Sequence, residues 1–195
     1  MRKKINKLWE KIGIPIKGLI MNGNFFPKKI TADKITETLK EFFDIGYGSL
    51  ASGIKDVFKD QNISINKDQD RELITVVILA IMRGVTASFG EITMAKNITD
   101  KLQSNIFNEY FKNIEERKKI EEIFLTRRDE YSEILNLENE NSQIQFVKIF
   151  CTHFFGKEKN ETNVALMAFI AGFFSEETIT IRNFLDGISA KFKVI

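Results

Sequence analysis

The two side chains best suited to nucleophilic or acid–base chemistry are the single histidine, His153, and the single cysteine, Cys151. They lie two positions apart in a stretch with helical spacing. On a helix such residues point to different faces, so they cannot form a nucleophile–base pair unaided. We interpret Cys151 as a core residue and His153 as a cation that complements the dipole at the C-terminal end of its helix. A catalytic His153 is the alternative.

The chain has none of the residue patterns that common metal and nucleotide sites require. A di-iron bundle needs two Glu-x-x-His elements, and a zinc site needs clustered Cys or His residues. This chain has a single histidine and a single cysteine. Gly-x-Ser-x-Gly, a Gly-x-Gly-x-x-Gly after a strand and a Walker loop are also missing from the sequence. We therefore expect no cofactor and no metal. The residues favour a protein without enzymatic activity, with an enzyme as the open alternative.

Arg83 is the polar residue most suggestive of a ligand site, because it directly follows a long apolar run. On a helix it shares a face with Ala87 and Glu91. An arginine at this place can pair with Glu91, extend its head group to the surface, or hold an anionic group at the mouth of a pocket. We expect pairing or extension. Arg83 and Glu91 remain the candidates for a pocket lined by Phe, Ile and Met side chains.

The N-terminal segment is strongly basic. Residues 1–34 carry nine basic and two acidic side chains, so the remainder of a chain with net charge +2 carries −5. Ile5, Leu8, Trp9 and Ile12 have helical spacing, which predicts a short amphipathic helix over residues 2–12. Such a helix packs on its own domain, which we favour, or binds a partner or an anionic membrane surface. The side chains available for such binding are Lys3, Lys4, Lys7, Trp9 and Lys11.

Residues 168–185 resemble a helix-turn-helix DNA reader only weakly. The expected turn would contain Phe173 and Phe174, and the expected recognition helix would open with Glu176 and Glu177. Two carboxylates at that position would repel the phosphates of a nucleic acid. We therefore expect no nucleic-acid partner.

These candidate residues are arranged around one apolar stretch, Leu73–Met82, in which nine of ten residues are apolar. Its many β-branched residues are typical of a strand. Ten apolar residues exceed a usual strand, however, and no turn signal precedes Gly84. The stretch therefore predicts a buried central helix that is capped by Asn66 or Asp68 and ends or kinks at Phe89–Gly90.

Further helices follow from apolar spacing and capping residues. In chain order they are a helix from Thr31 to Phe43, a continuation over Ile54–Phe58, a helix capped by Asn97 or Thr99 and reaching Phe111, one over residues 115–138, one over Ile144–Phe155, one over Val164–Phe174 and a last one from Ser175 toward Phe192. The small-residue segment Ile45–Gly53 is interpreted as a helix break or as a face that a neighbouring backbone approaches.

The predicted fold is all-α: a single globular bundle of about eight helices around the buried helix Leu73–Met82. Residues 1–195 form one domain, with residues 1–29 as a basic, partly irregular arm. Both prolines lie in the first thirty residues, as expected when long helices dominate the rest. Eighteen phenylalanines indicate a large apolar interior.

The expected localisation is cytoplasmic. One cysteine excludes an internal disulfide, no uninterrupted apolar run reaches the ~18–20 residues of a membrane span, and Arg2-Lys3-Lys4 is not followed by the apolar region of a signal peptide. The predicted function is a non-enzymatic adaptor or scaffold module that binds another protein, or itself, through helical surfaces and the basic arm. The alternatives are an apolar small-molecule or lipid binder and a peripheral membrane protein that uses the arm around Trp9.

Overall fold

The computed structural model describes residues 28–57, 64–90, 93–136, 141–156 and 164–195. These residues form six helices and two short strands. The elements are β1 (Lys28–Ile30), α1 (Ala32–Val57), α2 (Lys67–Phe89), α3 (Thr93–Tyr110), α4 (Ile114–Leu135), α5 (Ser142–Phe155), α6 (Val164–Ser189) and β2 (Phe192–Val194). The predicted all-α class is confirmed. The prediction of about eight helices is wrong, chiefly because two predicted breaks do not occur.

The apolar stretch Leu73–Met82 is helical, as predicted, and lies inside the longer helix α2. Asn66 caps it: its Oδ1 accepts from the backbone N–H groups of Asp68 and Gln69 at 3.0 and 2.9 Å, and Gln69 Oε1 accepts from the Asn66 N–H at 3.0 Å. These bonds satisfy three backbone donors that helix geometry leaves unpaired. The helix ends at Phe89, before Gly90 with φ +71°.

Helix α2 is the centre of the bundle. Residues 73–81 are all buried, and the helix contacts each of the other five. Its most extensive contact is with α6. The two backbones approach closely at Gly84, where a Cβ atom would lie 2.6 Å from Ile181 Cβ. A side chain at this position would therefore force the two helices apart.

The two helices predicted over Val164–Phe174 and from Ser175 onward are one continuous helix, α6. Ser175 followed by two glutamates resembles a helix start, but serine and glutamate are also tolerated inside helices. Glu177 is buried at 3% exposure rather than solvated. The packing of α6 along α2, including the 3.3 Å hydrogen bond from the Thr178 hydroxyl to the Ala80 carbonyl, supports continuity through this point.

Helix α1 is also continuous, so the predicted break at Ile45–Gly53 is wrong. The glycines allow a close approach, as in the alternative prediction, but by side chains rather than by a neighbouring backbone. A Cβ on Gly46 would lie 3.1 Å from Glu177 Oε1, and one on Gly53 would lie 2.1 Å from the Phe169 ring. The predicted cap Thr31 is confirmed by its Oγ1, which accepts from the Lys34 N–H at 3.2 Å.

Two further predictions of helix boundaries differ from the structure. The proposed caps Asn97 and Thr99 both lie inside α3, which begins at Thr93. The last helix ends at Ser189, and the residues that follow form strand β2. This strand pairs in parallel with β1, with Lys28 opposite Phe192 and Ile30 opposite Val194. The pairing ties the start of α1 to the end of α6.

Candidate functional site

A cavity of about 240 Å³ lies where the end of α2, the end of α4, the start of α5 and the middle of α6 meet. We call it the Arg83 cavity. Its walls are formed by Arg83 from α2, Leu135 from α4, Ser142 and Gln143 from α5, and Phe174, Ser175, Thr178 and Ile179 from α6. The predicted lining of Phe, Ile and Met is thus only partly present, because half of the lining residues are uncharged polar ones.

Helix geometry explains why α6 supplies half of the wall. Phe174 and Thr178 are four residues apart, as are Ser175 and Ile179, so the four side chains form two adjacent rows on one side of α6. Phe174 is buried, whereas Ile179 is 56% exposed at the rim. The cavity therefore has an apolar floor and opens to solvent.

Among the described residues of the wall, Arg83 is the only charged one. It is half-buried, and burial lowers the pKa of its guanidinium group. Its Nη1 donates to Asn136 Oδ1 at 3.4 Å, a long hydrogen bond. Within the part of the chain that the structure describes, no carboxylate oxygen lies within 4.0 Å of this side chain. Glu91, the predicted partner, lies outside the described residues.

Several polar groups around Arg83 are able to donate a hydrogen bond. Gln143 Nε2 donates to Ser175 Oγ at 3.0 Å, which leaves the Ser175 proton able to donate. Ser142 and Gln143 are the first two residues of α5, whose backbone N–H groups have no partner within the helix. This arrangement can bind an anionic group and place an attached apolar group against Phe174.

A second polar cluster joins α2, α4 and α5 and contains His153. Its Nε2 lies 2.8 Å from Glu130 Oε2, and Arg127 contacts the same oxygen at 3.6 Å. Arg127 Nε also donates to Glu72 Oε1 at 2.7 Å, and the Tyr131 hydroxyl donates to Glu72 Oε2 at 3.2 Å. Burial, with the Glu72 carboxylate beside it, raises the pKa of Tyr131 well above its usual value.

His153 lies in the last turn of α5, as predicted, and its ring also contacts a carboxylate of α4. The contacts that this cluster makes between helices join residues that lie 23 to 59 positions apart in the sequence, so no local pattern indicated them. Glu72 and Tyr131 are buried and bonded to one another. We interpret the cluster as a structural connection between helices.

Cys151 is half-buried, and burial raises the pKa of its thiol to about 11. The thiol is therefore protonated and a poor nucleophile at neutral pH. Among the described residues, no group of three or more His, Cys, Asp or Glu side chains is arranged to hold a metal ion.

Helix α6 also presents an apolar surface to solvent. Both α2 and α6 are long and apolar enough, by length and composition alone, to cross a membrane. The sequence predicted no membrane-spanning segment because no uninterrupted apolar run is long enough, whereas these two helices are apolar on average over a stretch of sufficient length. In α2, 67% of the most apolar window is buried, as expected for a core helix, whereas in α6 only 33% is. The exposed valine, alanine, glycine and isoleucine residues of α6 form a surface that we call the α6 face. They are Val164, Ala165, Ala168, Gly172 and Ile179.

The N-terminal side chains predicted for partner or membrane binding lie outside the described residues. They are Lys3, Lys4, Lys7, Trp9 and Lys11. Comparison of the chain with protein-family models, curated proteins and solved structures gives no significant match.

Proposed function

We propose that this chain is a non-enzymatic intracellular interaction module that binds an amphipathic helix of another protein on the α6 face, with the basic N-terminal arm as a second contact. The observation that carries this proposal is the low burial of α6, of whose most apolar window only 33% is covered. Apolar surface that stays in water gains roughly 25 cal/mol for each Å² that a partner covers.

The α6 face has a shape suited to a helix. Val164, Ala168, Gly172 and Ile179 follow one side of α6 at helical spacing, with large side chains at the ends and small ones between. A Cβ built on Gly172 meets no atom within 4 Å, so the space in front of it is open among the described residues. Small residues allow two helix backbones to approach closely, which favours a helical partner.

The charge on this face favours a protein over a bilayer. Glu176 is exposed between Gly172 and Ile179, and no cation of the described residues lies within 4.0 Å of its carboxylate. A carboxylate costs roughly 2.5–3.5 kcal/mol at the centre of a membrane-spanning helix. It is readily accommodated at the rim of a protein interface, where a lysine or arginine of the partner pairs with it. The proposed partner helix is therefore apolar on one side and basic beside it.

The test compares Ala168→Glu, which places a charge at the middle of the α6 face, with the control Ala190→Glu, an equally exposed alanine after α6. Proteins captured from cell extract by the wild-type chain are quantified by mass spectrometry. We expect a stoichiometric partner whose recovery falls at least tenfold with Ala168→Glu and stays unchanged with Ala190→Glu. Glu176→Lys should also reduce recovery.

Three results would contradict the proposal. Equal recovery with wild-type and Ala168→Glu proteins would show that the α6 face is not used. Sedimentation with anionic vesicles that Ala168→Glu abolishes would make the face a membrane-binding surface. A dimer in sedimentation velocity that becomes a monomer with Ala168→Glu would identify a second copy of this chain as the occupant.

A further inference from the structure

We propose that the Arg83 cavity binds a small organic carboxylate with a short aliphatic or single-ring apolar body. This site shares Ile179 with the α6 face, but its binding of a carboxylate does not depend on the proposed partner.

The first observation is a half-buried cation without an anion among the described residues. Arg83 has one polar contact there, at 3.4 Å to an amide oxygen. Two other arginines of the bundle contact carboxylates closely: Arg71 Nη1 lies 2.5 Å from Asp68, and Arg127 Nε lies 2.7 Å from Glu72. Removing a guanidinium from water is unfavourable unless an anion compensates. A bound carboxylate would supply that compensation at Arg83.

The second observation is the polarity of the wall around Arg83. Its uncharged polar residues include Ser175, whose proton is left free by the hydrogen bond from Gln143, and the first residues of α5. None of the described lining residues carries a negative charge. A carboxylate placed here would meet a guanidinium and hydroxyl or backbone donors.

The third observation concerns the size and apolar part of the cavity. Phe174, Leu135 and Ile179 supply the apolar part of the cavity wall. The volume of about 240 Å³ is below the roughly 300–1,000 Å³ typical of sites for drug-sized ligands. A phosphate ion would leave the apolar side unused and would face a single cation. A monocarboxylate with a short chain or one ring matches both sides.

The experiment uses the full chain and defined probes. Sodium benzoate and sodium hexanoate are titrated into ¹⁵N-labelled protein, with benzamide, hexanamide and inorganic phosphate as comparisons. We expect saturable shifts of the Gln143 side-chain amide and of the Ser175 and Thr178 backbone amides. The carboxylates should bind at least tenfold more tightly than the amides, since only they carry the charge that Arg83 pairs with. Phosphate should produce no saturable shift at these residues.

Variants test whether Arg83 is responsible. Arg83→Gln should weaken benzoate binding at least tenfold, and Arg83→Lys should weaken it less, because lysine keeps the charge but loses the planar fork. Arg182→Gln is the control, since Arg182 is an exposed arginine of α6 outside the cavity wall. If Arg83→Gln does not fold, Arg83→Lys and Ser175→Ala provide the comparison in its place.

Equal binding of benzoate and benzamide, shifts confined to residues outside the cavity, or no saturable shift at millimolar concentrations would each overturn the proposal. Ala168→Glu should bind benzoate as the wild-type chain does. The failure of the carboxylate site and the failure of the α6 face as a docking surface are therefore distinguishable.

Discussion

Replacing Glu177 with glutamine should make the stability of the protein less dependent on pH. Glu177 is 3% exposed and lies against Gly46 of α1 and Val77 of α2, neither of which carries a charge. Burial, and to a lesser degree the neighbouring Glu176 carboxylate, raises the pKa of Glu177 to about 7. The side chain is thus a neutral acid in mildly acidic solution and a buried anion in alkaline solution.

The direction in which stability changes with pH follows from proton binding. Between the usual glutamate pKa of 4.5 and the raised value of about 7, the native state binds this proton and the unfolded state does not. Stability therefore falls as pH rises through this interval. The difference of about 2.5 pKa units corresponds to about 3 kcal/mol. Glu177→Gln keeps the shape and cannot ionise, so we expect a variant about 1 kcal/mol more stable near pH 5 and about 3 kcal/mol more stable near pH 8.

The measurement is denaturant unfolding of both proteins at several pH values between 5 and 8, with the difference in free energy plotted against pH. Thermal unfolding should show a gap of roughly 6–12 °C near pH 8, at ~2–4 °C per kcal/mol for a chain of this size. Glu176→Gln is the matched control, and its difference from wild type should vary much less with pH. A Glu177→Gln difference that is constant from pH 5 to pH 8 would refute the reasoning.

Three further predictions concern stability measured by denaturant unfolding. Gly84→Ala should destabilise the protein by about 2–3 kcal/mol because the added methyl group would lie 2.6 Å from a side chain of α6. Gly48→Ala, whose methyl group would have nothing within 4 Å, should stabilise it by about 0.5–1 kcal/mol. A change of the same sign in both variants would contradict the packing described. Tyr131→Phe should cost about 1–2 kcal/mol by removing the hydrogen bond to Glu72, and an unchanged midpoint would argue against that bond. Asn66→Ala should cost about 1 kcal/mol through loss of the α2 cap, so a fully neutral substitution would show that the cap contributes little.

The helix signals that were local in the sequence predicted the structure well. Each of these signals spans only a few neighbouring residues. The apolar content of Leu73–Met82 predicts a helix, and Asn66 and Thr31 are each recognisable as helix caps; all three predictions are correct. The same reasoning failed at Ser175, where a serine before two glutamates has the composition of a helix start. Only the contact with α2, which lies about 90 residues earlier, supports one helix there.

The candidate site was predictable in one residue and not in its surroundings. Arg83 was singled out because it ends the apolar run, and the structure places it on the wall of a cavity. Ser142 and Ser175 reach the same wall from α5 and α6, and nothing in their own neighbourhoods indicates a site. The polar cluster of Glu72, Arg127 and His153 was missed for the same reason, since the ion pairs Arg127–Glu72 and His153–Glu130 join residues on separate helices.

The β1–β2 pair has a consequence for the order in which the protein folds. The Ile195 N–H donates to the Ile30 carbonyl at 3.0 Å, and the Ala32 N–H donates to the Ile195 carbonyl at 3.1 Å. Closing a loop of roughly 165 residues costs on the order of 4–5 kcal/mol in chain entropy. A few hydrogen bonds, each with a net value of about 1 kcal/mol, offset little of that cost alone. We infer that the strands meet only after α1 and α6 have packed on α2, which makes this small sheet a late addition to a helical nucleus.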